Sequence, residues 1–203
     1  MPSVYDLKPA FQGVLRPLTR TLAAGGVTAN QVTLAAALLS IATGGLLAAR
    51  ADAPRVWLLV PAVLFVRMAL NAIDGMLARE HGQKSRLGGL LNEICDVASD
   101  AALLLPFAWV PGATPALVAV IVALAGATEV AGLAAVAIGA SRRYDGPMGK
   151  SDRAVVFGAL GLAASVASPL PDWTSVAMPA VAGALVVTVV NRVRGGLRER
   201  KQR

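Results

Sequence analysis

The stretch NAIDGMLAREHGQKSRLGGLLNEICDVASD, residues 71–100, decides how this chain is read. It places Asn71, Asp74, Arg79, Asn92, Glu93, Asp96 and Asp100 at helical spacings, inside or beside segments apolar enough to be membrane spans. Such groups are costly in hydrocarbon and by default mark a functional site. Arg67, Asn71, Asp74 and Ala78 are separated by four, three and four residues and share one helical face; Asn92, Asp96 and Asp100 repeat at four and share another. The short loop between them predicts an antiparallel helix pair whose polar faces converge within the inner half of the bilayer.

Working outward, the chain has 203 residues, 56% of them apolar and 15% charged, with a mean hydropathy of +0.62. That composition suits a polytopic membrane protein and leaves little material for a separate soluble domain. Crossing about 30 Å of hydrocarbon takes roughly 20 helical residues, and apolar runs of that order fall near 31–49, 56–78, 88–110, 114–138, 153–170 and 174–192. Pro and Gly punctuate the turns at Ala53-Pro54, Pro111-Gly112, Gly146-Pro147 and Pro169-Pro171. The expectation is an all-α integral membrane fold of six transmembrane helices over 31–192, in one domain spanning residues 1–203, with a basic tail at 193–203.

Charge sets the orientation. Lys8, Arg16 and Arg20 precede the first span, Arg79, Lys84 and Arg86 occupy the second loop, and Arg142, Arg143, Lys150 and Arg153 the fourth. The tail adds Arg192, Arg194, Arg198, Arg200, Lys201 and Arg203, against only Arg50 and Arg55 on the other side. The excess of basic residues on one side puts both termini in the cytoplasm. Topology thus explains the pI of 10.5 without nucleic acid as a partner. Trp57, Trp109 and Trp173 lie at the expected outer ends of spans, where aromatic anchors sit.

The chain does not begin like a cleavable signal, because its apolar residues are spaced. Val4, Leu7, Phe11, Leu15, Leu18 and Leu22 recur every three or four positions, which predicts an amphipathic juxtamembrane helix over about 3–23 lying on the membrane surface. Cys95, the single cysteine, reads as a small core residue. His81 reads as a solvated loop residue. Arg67 and Glu129, charged within spans, are expected to form a structural ion pair, and Gly126, Gly132 and Gly158 are placed for close helix packing.

Read as Asn71, two residues, Asp74-Gly75, two residues, Ala78-Arg79, eight residues, Gly88, three residues, Asn92, three residues and Asp96, the central segment resembles the signature of the CDP-alcohol phosphotransferases. The spacings and the other fixed positions agree; the family has aspartate where this chain has Asn71 and Asn92. Thr28-Ala29-Asn30-Gln31-Val32-Thr33 is similar to the family's Thr-Pro-Asn start of the first span, and also reads as a helix N-cap.

The resemblance implies transfer of a phosphatidyl or other substituted phosphoryl group from a CDP-linked lipid, such as CDP-diacylglycerol, to an alcohol acceptor, with release of CMP. It implies Mg2+ or Mn2+, one or two ions, held by Asn71, Asp74, Asn92 and Asp96, with Asp96 also acting as base. Glu93 and Asp100 are placed to make up the carboxylates lost at the two asparagines. Asn30, Thr33, Gly75, Ala78, Arg79, Ser85 and Gly88 match positions near the CDP-lipid, and Lys150 and Arg153 those that bind an acceptor phosphate in some members. Membrane lipids and a second copy of the chain are the other expected partners, with the site facing the cytoplasmic leaflet of a bacterial-type plasma membrane. Two other classes remain open, a catalytically impaired CDP-lipid-binding paralogue and a small cation-coupled transporter.

Overall fold

The computed structural model describes residues 4–166 and 173–199, and only the backbone of residues 4–8 and of Trp173. Helix α1 runs Val4–Ala24, α2 Ala29–Ala49, α3 Leu59–Glu80, α4 Arg86–Leu104, α5 Pro115–Ala137, α6 Lys150–Val166 and α7 Trp173–Arg198. Short 3-10 turns at Pro54–Leu58 and Leu105–Trp109 precede α3 and follow α4. The turn expected at Pro169-Pro171, the far end of the span expected at 153–170 and residues 200–203 lie outside the described residues. Among the described residues, Ala29–Ala49, Pro54–Glu80, Pro115–Ala137 and Thr174–Arg198 form four helices long and apolar enough to cross a membrane. The other two candidates are interrupted by charge: α4 carries Arg86, Glu93, Asp96 and Asp100, and the 17 residues of α6 begin with Lys150, Asp152 and Arg153.

Local chemistry explains the boundaries. Thr28 caps α2, its Oγ1 accepting from the Gln31 N–H at 3.2 Å while Gln31 Oε1 accepts from the Thr28 N–H at 2.9 Å. The expected continuous run over 88–110 tightens at Leu105, because Pro106 has no N–H to return to the Ala102 carbonyl. Against that carbonyl packs Gly44, where an added Cβ would lie 2.1 Å from the oxygen. An added Cβ at Gly132 would likewise lie 2.7 Å from the Arg143 carbonyl oxygen, whereas at Gly126 and Gly158 it would meet neighbours only at the ordinary 3.8 Å. At the other end, α7 runs to Arg198, so the first part of the expected tail is helical.

The main apolar core joins α2, α3, α4, α5, α6 and α7 through Leu47, Val60, Leu103, Ile121, Leu160 and Leu185. At its centre Phe107 meets Trp57 and Phe157 edge-on, with ring centroids 5.0 and 5.1 Å apart. Trp57 is therefore a core residue, 2% exposed, and not the expected interfacial anchor, while Trp109 is 58% exposed. Cys95 is buried and free. A second cluster packs Leu15 and Leu22 of α1 against Ile73, Met76 and Leu77 of α3. Arg16 adds a two-bond pair to Glu80, both bonds at 3.0 Å.

The 138–149 loop is fastened to α7. Arg143 bonds Asp145 at 2.7 and 2.8 Å and Glu199 at 2.9 Å, and holds the Asp145 carboxyl below the usual carboxylate range. Gly146, at φ +122, packs on Thr188, whose Oγ1 accepts from the Met148 N–H at 3.0 Å. These contacts deliver the first residue of α6, Lys150, to the polar face of α4.

Candidate active site

Helices α3 and α4 fold back on each other through residues 81–85, with Gly82 at φ +69 making the reversal. Running in opposite directions, they bring Asn71 level with Asp96 and Asp74 level with Asn92. The amides then bridge the helices reciprocally: Asn71 Nδ2 donates to Asp96 Oδ1 at 3.4 Å, and Asn92 Nδ2 to Asp74 Oδ2 at 3.5 Å. These are long bonds, weaker than those around them. The convergence expected from the helical spacing is thus present in the fold.

Helix α2 closes one side. Thr33 donates to Asp74 Oδ2 at 2.7 Å, and Asp74 is buried at 5% exposure. Gln83, in the turn between α3 and α4, clamps the start of α2: its Oε1 accepts from the Ala29 N–H at 2.7 Å and its Nε2 donates to the Val27 carbonyl at 3.2 Å. Asn30 is thereby set against the first turn of α4. Ser85 caps that turn by accepting from the Gly88 N–H at 2.9 Å, and an added Cβ at Gly88 would lie 2.7 Å from Asn30 Oδ1. Arg79 is exposed and folds back over Gly75, whose added Cβ would meet its guanidinium at 2.9 Å. Ala78 packs at the edge of the second apolar cluster. Asn30, Thr33, Gly75, Arg79, Ser85 and Gly88 therefore surround the carboxylates, on the side where α2 meets the α3–α4 turn.

Lys150 comes from the opposite side, with Nζ 2.5 Å from Asp96 Oδ1. Beyond it lies a buried ladder of ion pairs. Arg67 bonds the Asp96 carbonyl at 3.0 Å and Asp100 Oδ1 at 2.5 Å; Arg153 takes Asp100 Oδ2 at 2.7 Å and Glu129 Oε1 at 2.9 Å. Arg192 then reaches Glu129 Oε2 at 3.4 Å and the Thr128 carbonyl at 2.5 Å. Arg67 and Glu129 are thus ion-paired, but not with each other: they are joined through Asp100 and Arg153.

Three sequence expectations change here. Glu93 does not join the carboxylates of the site, because Arg142 holds both of its oxygens. Asp100 faces Arg67 and Arg153 with one oxygen each, so neither Glu93 nor Asp100 replaces the charge missing at Asn71 and Asn92. Arg153 is not open to an acceptor phosphate: it is 3% exposed, and its Nε, NH1 and NH2 are all spent on Asp100, Thr128, the Met148 carbonyl and Glu129. Lys150 keeps a side chain 35% exposed.

Among the described residues, no group of three or more His, Cys, Asp or Glu side chains could hold a metal ion. A divalent ion at this site must therefore combine the Asp74 and Asp96 carboxylates with amide oxygens of Asn71 and Asn92, after a half-turn of each amide. That all-oxygen set suits hard Mg2+ or Mn2+.

Sequence reasoning missed Gln83, Arg142 and Arg192. The signal for Arg192 was present: Thr174, Met178, Val181, Leu185, Thr188 and Arg192, all 5% exposed or less, form one buried stripe along α7. Arg142 and Gln83 carry no periodic signal, since both lie in turns whose path depends on the helices they join.

A sequence model of CDP-alcohol phosphatidyltransferases matches residues 26–190. The Escherichia coli (strain K12) inner membrane protein YnbA is 47% identical over 96% of both chains. Phosphatidylinositol phosphate synthase of Mycolicibacterium smegmatis is 29% identical over 95% of this chain and 88% of its own. Among solved structures, Mycobacterium tuberculosis phosphatidylinositol phosphate synthase in complex with manganese and citrate superposes with a TM-score of 0.75, at 24% identity over 91% of this chain and 90% of the other. The same synthase with CDP-DAG bound gives 0.69, at 22% identity over 91% and 94%. With most of its length matched by the family and its all-helical fold shared with a solved synthase, the chain belongs to the CDP-alcohol phosphatidyltransferase family.

Proposed function

We propose that this protein transfers a phosphatidyl, or another substituted phosphoryl group, from a CDP-linked lipid to an alcohol and releases CMP. The observation that carries the reading is the state of Asp96. Its partners Lys150, Arg67 and Asn71 all fall on Oδ1, and among the described residues Oδ2 accepts no hydrogen bond. An unspent carboxylate oxygen held in place by its twin suits a base for an acceptor hydroxyl. As Oδ2 takes that proton, the alcohol oxygen bonds the lipid-side phosphorus and the bond from that phosphorus to the CMP oxygen breaks.

A divalent cation, when bound, supplies neutralisation of the diphosphate and of the charge growing on the leaving CMP. Asp74, Asp96, Asn71 and Asn92 hold it, and Thr33 fixes Asp74. Gly75 and Gly88 give the nucleotide close approach to the backbone, with Asn30, Ala78 and Ser85 beside them and Arg79 free to pair with phosphate. Lys150 is the exposed cation beside Asp96, open to a phosphoryl oxygen of either substrate, and Arg153 positions the acid ladder behind it. The bound CDP-DAG and manganese of the mycobacterial synthase support the substrate class and the metal.

The topology read from the sequence belongs to the same proposal: one domain, six spans with α4 and α6 as the polar two, α1 on the membrane surface, both termini and the site on the cytoplasmic side, and a homodimer as the resemblance implies. The inner-membrane relative supports placement in a membrane. The test is CMP release by the purified full chain in detergent, with labelled CDP-diacylglycerol, Mg2+ or Mn2+ and a panel of free and phosphorylated alcohols. Acceptor-dependent release that disappears in Asp96→Asn is expected. Release by no acceptor rejects the transferase, and undiminished release from Asp96→Asn rejects Asp96 as base.

A further inference from the structure

We infer that the site holds one divalent ion, not two, and that the Lys150 ammonium serves as its second cation, paired with Asp96 and turned toward the diphosphate of the CDP-linked lipid. The inference rests on the transferase reading for the identity of that diphosphate, and on the geometry for the rest. Only two carboxylates, Asp74 and Asp96, reach the centre, since Glu93 and Asp100 are held by Arg142, Arg67 and Arg153. The positions that could have supplied two more acids, Asn71 and Asn92, supply neutral amides.

Charge decides the count. Glu93, Asp96, Asp100 and Glu129 are paired with Arg67, Arg142, Lys150, Arg153 and Arg192, Asp74 is held by Thr33 and Asn92, and Arg79 lies over Gly75, so the protein's own ionic groups leave no net negative charge around the site. A nucleotide-linked diphosphate brings about two negative charges, which one divalent ion neutralises. A second ion would leave two uncompensated positive charges in a poorly solvated site, beside an ammonium already in place, and burial of unpaired charge is strongly disfavoured.

Lys150 is the one member of this basic set poised to meet a ligand. Its side chain is 35% exposed, against 5% for Arg67, 3% for Arg153 and 2% for Arg192, while Arg142, at 28%, has both terminal nitrogens on Glu93. Of its three N–H donors only one is needed by Asp96, which leaves two for phosphoryl oxygens.

The test is a titration of the full chain in detergent with Mn2+ alone, following free Mn2+ by electron paramagnetic resonance and the bound ion at low temperature. One Mn2+ per chain without exchange coupling is expected. Lys150→Met, which removes the competing positive charge, should keep that count and tighten Mn2+ binding about tenfold. Adding Asn71→Asp and Asn92→Asp to Lys150→Met should raise the count to two coupled ions. Two ions or none in the unaltered chain overturn the inference, as does Lys150→Met binding Mn2+ no more tightly, or a folded triple variant that still holds one ion. If the triple variant does not fold, the first two measurements decide the matter. A chain that binds one Mn2+ but never releases CMP defeats the transferase reading and not the metal count; release of CMP with two ions bound does the reverse.

Discussion

Asp96 and Asp100 stand one helical turn apart on α4, with side chains 16% and 13% exposed, and do opposite jobs. Asp100 divides its two oxygens between Arg67, which also donates to the Asp96 carbonyl, and Arg153, which also donates to Glu129. Among the described residues, Asp96 receives all its partners on Oδ1, two of them at 3.4 Å, and none on Oδ2. Exposure does not distinguish the two carboxylates; saturation does. A charge whose lone pairs are all spent on protein donors is committed to the fold, whereas one left half-satisfied is held ready for a ligand or a proton.

The contrast can be broken most directly by removing one carboxylate charge at a time. Asp96→Asn should lower CMP release by about 10²–10⁴-fold, the usual worth of a positioned base, and leave thermal unfolding in detergent unchanged. A variant that loses activity only because it unfolds would erase the distinction. Asp100→Ala should do the reverse and cost about 3–5 kcal/mol of stability, because it strands the buried Arg67 and Arg153 guanidinium groups. The measurement is the unfolding midpoint, and a midpoint equal to that of the unaltered protein would show that the ladder is not structural.

Smaller effects sharpen the comparison away from charge. Gly44→Ala forces a methyl against the Ala102 carbonyl and should destabilise by about 1–3 kcal/mol, since backbone on both sides must shift. It should slow turnover only through displacement of α2 and its Thr33. Smallest of all, Arg16→Ala removes an exposed pair with Glu80 and should leave both the midpoint and CMP release within the scatter of the unaltered protein.

Much of this arrangement is legible in residue order. The run from Asn71 to Asp100 states its own spacing, and helical geometry with a short connecting loop predicts that the two polar faces converge, as Asn71 with Asp96 and Asp74 with Asn92 do. The start of α2 was legible from its Thr28 cap, whereas the Ser85 cap of α4 was found only in the structure. Other boundaries were less legible. α6 starts at Lys150, three residues before the apolar run expected from 153, because hydropathy marks where a segment becomes apolar and not where its backbone turns helical. Trp57 shows the same limit, since its sequence position fits an interfacial anchor and only the approach of Phe107 makes it core.

Sequence by itself determined the membrane character, the amphipathic first helix and the two polar faces, since each depends on residues near one another along one helix. Tertiary structure alone decided which acids remain available. Glu93, Asp100 and Arg153 look like site residues until Arg142, Arg67 and Glu129, brought from 24 to 49 positions away, consume their bonds. The physical reason is that hydrogen-bond saturation belongs to pairs of groups, and which pairs meet depends on how the helices are packed.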